Sequence, residues 1–105
     1  MPKDTRQRLD KWLWFGRFVK TRVLAAELVA AGHVRINRTR VVKPGHDVRA
    51  GDVLTVAIHG RVRVVRITGL AARRGSPELA RMLYEELTST GAHAGAAENM
   101  DASGL

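Results

Sequence analysis

Residues 8–37 read RLDKWLWFGRFVKTRVLAAELVAAGHVRIN, and this stretch predicts two helices followed by a strand. Apolar residues recur at helical spacing over residues 8–19, which predicts a first helix with one buried side. Thr21 is a favourable helix N-cap, and residues 22–31 predict a second helix that ends at Gly32. Beyond Gly32 the spacing changes to the alternation of apolar and polar residues that is typical of a strand.

The segments that follow predict an antiparallel sheet. Residues 33–43 have the pattern of a β-hairpin with its turn near residues 37–39. Two further β-rich runs, 53–58 and 61–67, are joined by a turn at His59-Gly60. The alternation slips by one residue in the second run, which indicates a β-bulge or a change of exposed face. We therefore expect a strongly twisted sheet.

The C-terminal part predicts one more helix and a tail. Ser76 and Pro77 are typical of a helix start, and four apolar residues would form its inner side: Leu79, Met82, Leu83 and Leu87. From residue 88 onward there is too little apolar bulk to offset the entropy of ordering the chain. The predicted fold class is α+β, with two N-terminal helices on a small twisted antiparallel sheet, a C-terminal helix and a disordered tail. We expect an N-terminal arm at residues 1–7 and one folded domain at residues 8–70. A linker with the C-terminal helix is expected at residues 71–87, and the tail at residues 88–105.

Charge is distributed unevenly along the chain. Its 105 residues carry 18 Lys and Arg against 10 Asp and Glu, a formal charge of +8. Residues 1–43 hold 11 of the cations against 3 acids, whereas residues 76–105 hold 1 against 5. An excess of this kind is typical of proteins that bind a polyanion, with nucleic acid the first candidate. The N-terminal half is therefore the expected binding region.

The composition argues against several classes of site. The absence of cysteine excludes disulfides, thiolate zinc sites and cysteine nucleophiles. The four histidines lie at no spacing that places two imidazoles on one helix face, so no metal or other cofactor is expected. No apolar run approaches the roughly 20 residues that cross a bilayer, and no signal segment opens the chain. We expect a cytoplasmic protein with neither a membrane partner nor a small-molecule substrate.

Cations gather where the first helix meets the second and along the predicted hairpin. Arginine and a threonine hydroxyl beside a helix N-terminus are suited to phosphate, although such contacts carry little sequence information. Trp14, Phe15 and Phe18 are candidates for base stacking, against the competing interpretation that these rings are core, and Trp14 is the preferred exception. We expect one continuous RNA-binding surface made of Arg8, Lys11, Trp14, Arg17, Lys20, Thr21, Arg22, Arg35, Arg38, Arg40 and Lys43.

Five segments carry a resemblance to a known family: residues 8–14, 20–22, 25–29, 32–37 and 48–54. In order and spacing they resemble the RNA-binding domain named after ribosomal small-subunit protein four. The paired tryptophans and the run Leu83-Tyr84-Glu85-Glu86 are most similar to its branch of small, stand-alone, ribosome-associated heat-shock proteins.

The resemblance implies a two-helix unit on a small sheet, known as the αL motif, that holds RNA at the helices and the hairpin. It implies RNA contacts at Arg8, Lys11, Thr21, Arg22 and Arg35. It also implies association with free large ribosomal subunits that retain peptidyl-tRNA, and help in their rescue. The implied partners are large-subunit ribosomal RNA and, as a second candidate, tRNA. Separately, we expect the chain to be a monomer.

Two residues depart from the family pattern. Arg38 stands where the hairpin turn commonly has glycine, and because a positive φ disfavours a side chain we expect a different turn there. Gly16 interrupts a helix that usually prefers alanine.

An enzyme and a general nucleic-acid binder are the alternatives. Catalytic relatives carry a separate domain, whereas about 50 residues remain here after the motif, without a Gly-rich nucleotide loop or a nucleophile–base arrangement. Asp10 is expected to ion-pair with a neighbouring arginine, and Asp52 to shape the turn after Gly51. A binder of structured RNA or DNA without ribosome specificity stays open, because its sequence would look much the same.

Overall fold

The structure, a computed structural model, describes residues 6–91. Its helices are α1 (Leu9–Phe15), α2 (Arg22–Ala30) and α3 (Pro77–Arg81). Its strands are β1 (Gln7–Arg8), β2 (Val34–Ile36), β3 (Thr39–Val41), β4 (Asp47–Val48), β5 (Val53–Ile58), β6 (Arg61–Ile67) and β7 (Tyr84–Gly91). The predicted α+β class with an antiparallel sheet is confirmed.

The main sheet has the strand order β3-β2-β5-β6-β7, and all its neighbours are antiparallel. Because side chains alternate across a strand, Val34, Ile36, Leu54, Val56 and Val65 share one face and are buried there. The buried sides of α1 and α2 pack on this same face and complete the core. The opposite face of the sheet carries no helix among the described elements.

A second, two-stranded sheet that the sequence did not predict positions the start of α1. β1 pairs antiparallel with β4, and Val48 is fully buried. The α1 N-cap, Arg8, makes no side-chain cap. Instead the amides of Leu9 and Asp10 donate to the carbonyls of His46 (2.8 Å) and Pro44 (3.0 Å). The loop before β4 is thereby held against the N-terminus of α1.

The first helix is shorter than predicted. It ends at Phe15, where Gly16 follows as C-cap, and Arg17 adopts a left-handed φ of 63°. This break turns Phe18 into the core, where 5% of its surface is exposed and its ring centroid lies 5.4 Å from that of Trp12. The helical spacing that extended the prediction to residue 19 came from side chains buried by a turn, not by a helix.

The two predicted turns have the same geometry. His59 and Gly60 have φ values of 53° and 74°, so the predicted turn is confirmed. Asn37 and Arg38 have φ values of 50° and 77° and join β2 to β3 as a two-residue loop. The expectation that Arg38 would force a different turn is wrong, because the paired strands hold Arg38 in the conformation that favours glycine.

The C-terminal helix is confirmed but short, and the chain then returns as β7. Leu79 and Met82 are 58% and 71% exposed, so their predicted inner position is wrong, and Leu87 belongs to a strand. The register of β7 against β6 shifts between Val64 and Val65, which leaves Leu87 without a partner and confirms the irregularity predicted there. β7 also takes up residues 88–91 of the segment predicted as a tail, whose remainder, 92–105, lies outside the described residues.

A half-buried arginine joins β7 to the core. Arg63 on β6 donates to Glu86 through Nε (3.1 Å) and Nη2 (2.6 Å), and its guanidinium lies 4.6 Å from the centre of the Phe18 ring. Hydrogen bonding to Glu86 raises the pKa of Arg63 against the opposing effect of burial, with a further contribution from Tyr84. The cost of burying this cation is offset by the pairing, and the acids of the C-terminal segment thus find basic partners within the sheet.

Candidate nucleic-acid interface

Asp10 is the centre of the junction between α1 and α2. Its carboxylate is 3% exposed. It accepts hydrogen bonds from Arg8 Nε (3.1 Å) and Nη2 (3.0 Å) and from the Lys11 amide (2.8 Å), while Arg22 Nε lies 3.6 Å away. The predicted ion pair of Asp10 with a neighbouring arginine is therefore present, and two arginines share it.

The electrostatics of this group favour the charged forms of Asp10 and Arg8. Burial alone would raise the pKa of Asp10, but hydrogen bonds from Arg8 and the Lys11 amide, together with the charge of Arg22, hold it below its usual value. The same hydrogen bond raises the pKa of Arg8. The side chains of Arg8 and Arg22 stay 49% and 41% exposed. Their remaining N–H donors are therefore fixed in place and accessible to an anion.

Two more predicted residues, Lys11 and Thr21, adjoin Asp10 and Arg22 in the chain, and the set is called the Asp10 corner below. Thr21 caps α2 by accepting the Leu24 amide at 3.1 Å, and its hydroxyl proton remains available for a phosphate oxygen. A Cβ placed on Gly45 would lie 3.4 Å from the Arg8 guanidinium carbon, so the loop after Lys43 runs past the corner, whereas Lys43 itself lines a separate hollow with that loop. The Asp10 corner consists of Arg8, Asp10, Lys11, Thr21 and Arg22.

A second group of predicted cations lies at the other end of α1. Arg17 donates through Nε and Nη2 to the carbonyl of Gly75, at 2.9 and 2.8 Å. Lys20 is exposed and lines the same hollow as Arg17. These two cations are separated from the start of α1 by its seven residues, a rise of about 10 Å.

The cations of the hairpin form a third group. Arg35 and Arg40 are register partners and are exposed on the face of the sheet opposite the helices. Arg38 is exposed at the tip of the turn. Arg40 passes close to Gly32, beyond the C-terminal end of α2, whereas the Asp10 corner lies at its N-terminal end. The single continuous surface that was predicted is wrong, because strand alternation turns Arg35 and Arg40 outward once Val34 and Ile36 are buried.

The aromatic candidates are mostly core, as the competing interpretation held. Phe15 and Phe18 are 6% and 5% exposed, which removes them as base-stacking residues. Trp14 is half-buried and stacks on Phe15, with a centroid distance of 5.2 Å. Stacking of Trp14 on a base stays a prediction, restricted to the ring surface that Phe15 leaves open.

Asp52 has the structural role that was predicted for it. Its carboxylate accepts from the Arg49 amide (3.0 Å) and from Asn37 Nδ2 (3.1 Å), while Asn37 Oδ1 accepts from the Val53 amide (3.0 Å). These bonds tie the hairpin turn to the start of β5. They position the hairpin without offering a paired acid and base.

Sequence reasoning missed two residues that lie beside predicted cations. Arg74 and His59 share the hollow with Arg17 and Lys20, although they are distant along the chain. The sequence shows that residues 73 and 74 are both basic. The location of Arg74 beside Arg17 and Lys20 depends on how the segment after β6 packs against α1. Over the described residues, no group of three or more His, Asp or Glu side chains is placed to hold a metal ion. In that same part of the chain, no helix is long and apolar enough to cross a membrane.

Comparison with known proteins agrees with the fold and the junction. The S4 domain family matches residues 7–54, which include α1, α2 and the hairpin. The fold and this match define the chain as an S4-domain protein.

Individual relatives narrow the family further. Heat shock protein 15 homolog of Aeromonas salmonicida is 45% identical over 82 residues, which are 78% of this chain and 61% of the relative. Heat shock protein 15 of Escherichia coli is 40% identical over 79 residues, 75% of this chain and 59% of the relative. The solved structure of heat shock protein 15 from Vibrio cholerae, described as trimeric, is 37% identical with a TM-score of 0.73, covering 77% of this chain and 81% of that one. The chain belongs to the heat shock protein 15 family, and it spans about six-tenths of the length of the curated relatives it matches.

Proposed function

We propose that the protein is a binder of structured RNA, not an enzyme, and that the Asp10 corner is its primary phosphate contact. The observation that carries the proposal is the fixed pair of half-exposed arginines on one buried carboxylate. Two guanidinium groups held in this way lose little side-chain entropy on binding, so they favour a phosphate over free solvent. Membership of the S4-domain family supports RNA as the polyanion.

The hairpin cations have a separate role in this proposal. Arg35, Arg38 and Arg40 are exposed and take part in no ion pair among the described residues. Because they face away from the helices, they contact a second backbone segment and not the phosphates at the Asp10 corner. A folded RNA that curves around the edge of the sheet presents two such segments, which makes shape the property that is recognised.

The cellular part of the proposal is association with free large ribosomal subunits that carry peptidyl-tRNA, and assistance in rescuing stalled translation in the cytoplasm. The heat shock protein 15 relatives support a connection to heat shock. Neither a cofactor nor a small-molecule substrate is part of this function.

Sedimentation of ribosomal fractions tests the cellular proposal. Tagged protein is mixed, in separate samples, with intact ribosomes, with small subunits, with large subunits that carry peptidyl-tRNA and with large subunits that do not. The protein is expected to sediment with large subunits, and more of it with those that carry peptidyl-tRNA. An even spread over every RNA-containing fraction would favour the alternative, a general binder of structured RNA or DNA. Competition between duplex DNA and structured RNA then shows whether such a general binder prefers RNA or also binds DNA.

Oligomeric state is a separate matter. The Vibrio cholerae relative is described as trimeric, whereas a monomer is expected for this chain. Light scattering of the full chain with and without RNA distinguishes the two, and a mass three times that of the chain would contradict the expectation.

A further inference from the structure

A hollow of about 330 Å³ lies at the C-terminal end of α1, next to the Asp10 corner. It is called the His59 hollow below. Four nitrogen-bearing side chains, called the rim below, and three apolar side chains, called the floor below, line it. The rim consists of Arg17, Lys20, His59 and Arg74, and the floor of Phe18, Val19 and Leu24.

Two of the rim cations are held in place by backbone carbonyls. Arg17 is anchored to the Gly75 carbonyl, and Arg74 Nε donates to the Trp14 carbonyl at 3.2 Å. Each of these two guanidinium groups retains further N–H donors. Among the described residues, Arg17, Lys20 and Arg74 take part in no ion pair. The hollow therefore presents uncompensated positive charge.

The floor adds a feature that phosphate binding alone does not require. Leu24 is 45% exposed at the start of α2, although the buried side of that helix is formed by Ala25 and Val29. The imidazole of His59 stands at the same hollow, on the turn between β5 and β6. Imidazole, guanidinium and apolar surfaces all stack on nucleobases. A concavity at the low end of the size range for ligand sites takes one ring system, not a helix.

The hollow and the Asp10 corner are neighbours along the chain. Lys20 at the rim and Arg22 at the corner are two residues apart, on either side of Thr21. A nucleic-acid strand that crosses the N-terminus of α2 therefore passes from one to the other.

We propose that the His59 hollow binds one unstacked nucleotide of the RNA held by the Asp10 corner. The base packs against His59, Val19 and Leu24, and the phosphate lies on Lys20 and Arg74. This inference rests on the proposed function and deepens it, because the RNA ligand then contains a single-stranded segment next to its double-helical stem.

The test compares three fluorescent RNAs that share one stem–loop. The first has no extension, the second carries a single-stranded extension of about five nucleotides, and the third carries the same extension without bases. The full chain is expected to bind the second most tightly. Equal affinity for the extensions with and without bases would overturn the proposal, since phosphates alone would then explain the binding.

Two substitutions localise the effect. His59→Asn keeps a residue that tolerates the left-handed φ before Gly60, and Lys20→Ala removes an exposed cation. Each is expected to weaken binding of the extended RNA about five- to tenfold, and His59→Asn is expected to change binding of the unextended RNA less than about twofold. On the extension without bases, His59→Asn is expected to have no effect.

The control is Arg81→Ala, which removes an exposed cation of α3 that does not line the hollow. It should leave all three affinities unchanged, and thermal melts establish that every variant folds. If the hollow variants weaken all three RNAs equally, or none, the His59 hollow is not a nucleotide site, while salt-dependent binding of the unextended RNA still supports the Asp10 corner. If the wild-type chain binds none of the RNAs, the proposed function fails and the inference fails with it.

Discussion

At the scale of single residues, the molecule depends on one buried acid. Asp10 links Arg8 at the start of α1 to Arg22 at the start of α2, so a single carboxylate fixes both the junction of the helices and the positions of two cations. Stability and proposed function therefore share a residue. Variants at Asp10 must be tested for both.

We predict that Asp10→Asn lowers the free energy of unfolding by about 1–2 kcal/mol at neutral pH, because a charged hydrogen-bonded pair becomes a neutral one. The pKa of Asp10 is lowered in the folded state. Its contribution to the free energy of unfolding is therefore present above the unfolded-state pKa of about 3.9 and is lost as pH falls through the folded-state pKa. Denaturant unfolding of wild type and variant should therefore converge below about pH 4. Asp47→Asn is the matched control, since its pair with Arg6 is exposed. A stability difference that does not change with pH would contradict the assignment.

Replacing the turn residue Arg38 is expected to change stability and RNA binding in opposite directions. Arg38→Gly is expected to raise the free energy of unfolding by about 0.5–1 kcal/mol, since relief of the left-handed conformation exceeds the added chain entropy of glycine. The same change should weaken RNA binding by removing a cation from the hairpin tip. Arg38→Asn, which tolerates a positive φ, is the companion variant and should weaken binding to the same degree. A less stable glycine variant would show that the turn is not strained.

At the scale of elements, the position of β7 determines which cations the acids Glu85 and Glu86 contact. It lies at the edge of the main sheet and is joined to β6 by two ion pairs, Arg63 with Glu86 and Arg66 with Glu85. Glu85 and Glu86 therefore neutralise cations of β6 and form no ion pair with the N-terminal cations among the described residues.

Two truncations test the role of β7. Removing residues 84–105 should lower the melting temperature by more than about 10 °C, because β6 loses its partner strand and its ion pairs. Removing residues 92–105, which contain no Lys or Arg and little apolar bulk, should leave both melting temperature and RNA affinity nearly unchanged. Circular dichroism melts and fluorescence anisotropy measure the two properties. A large loss from the shorter truncation would show that the final residues were misinterpreted.

At the scale of the whole molecule, charge is divided among three exposed groups. The Asp10 corner, the His59 hollow and the hairpin each hold two or more cations, and the first two are adjacent. A bound RNA that reaches all three must bend or branch, which suits a structured ligand better than a straight duplex.

Salt dependence measures how many phosphates this arrangement neutralises. For about five contacts we predict that the logarithm of the association constant falls against the logarithm of salt concentration with a slope of about −3.5 to −4.5. Lys11→Ala should flatten the slope by about 0.7 to 0.9 without affecting folding, because Lys11 takes part in no ion pair among the described residues. Anisotropy titrations over a series of salt concentrations supply the slope. An affinity independent of salt would rule out a phosphate-binding surface.

Features set by short-range chemistry were predictable from the sequence. Thr21 caps α2, Asp52 shapes its turn, His59 and Gly60 form a tight turn, and Asp10 pairs with an arginine near it in the chain. Each depends on residues close together in sequence, or on a backbone preference of the residue itself. Apolar alternation likewise determined which side of the hairpin would be buried.

Only the tertiary structure decided which distant segments meet. The pairing of β1 with β4, the return of β7 beside β6 and the meeting of His59 with Arg74 depend on contacts between residues far apart in the chain. Local spacing also made residues 17–19 look helical, whereas a turn buries Phe18 against Trp12 and Tyr84. The amino-acid sequence by itself determined α2, the hairpin, the strands β5 and β6, the basic character and the junction around Asp10. The division of the cations into three groups followed from packing, because burial of one strand face compels the neighbouring side chains to point the other way.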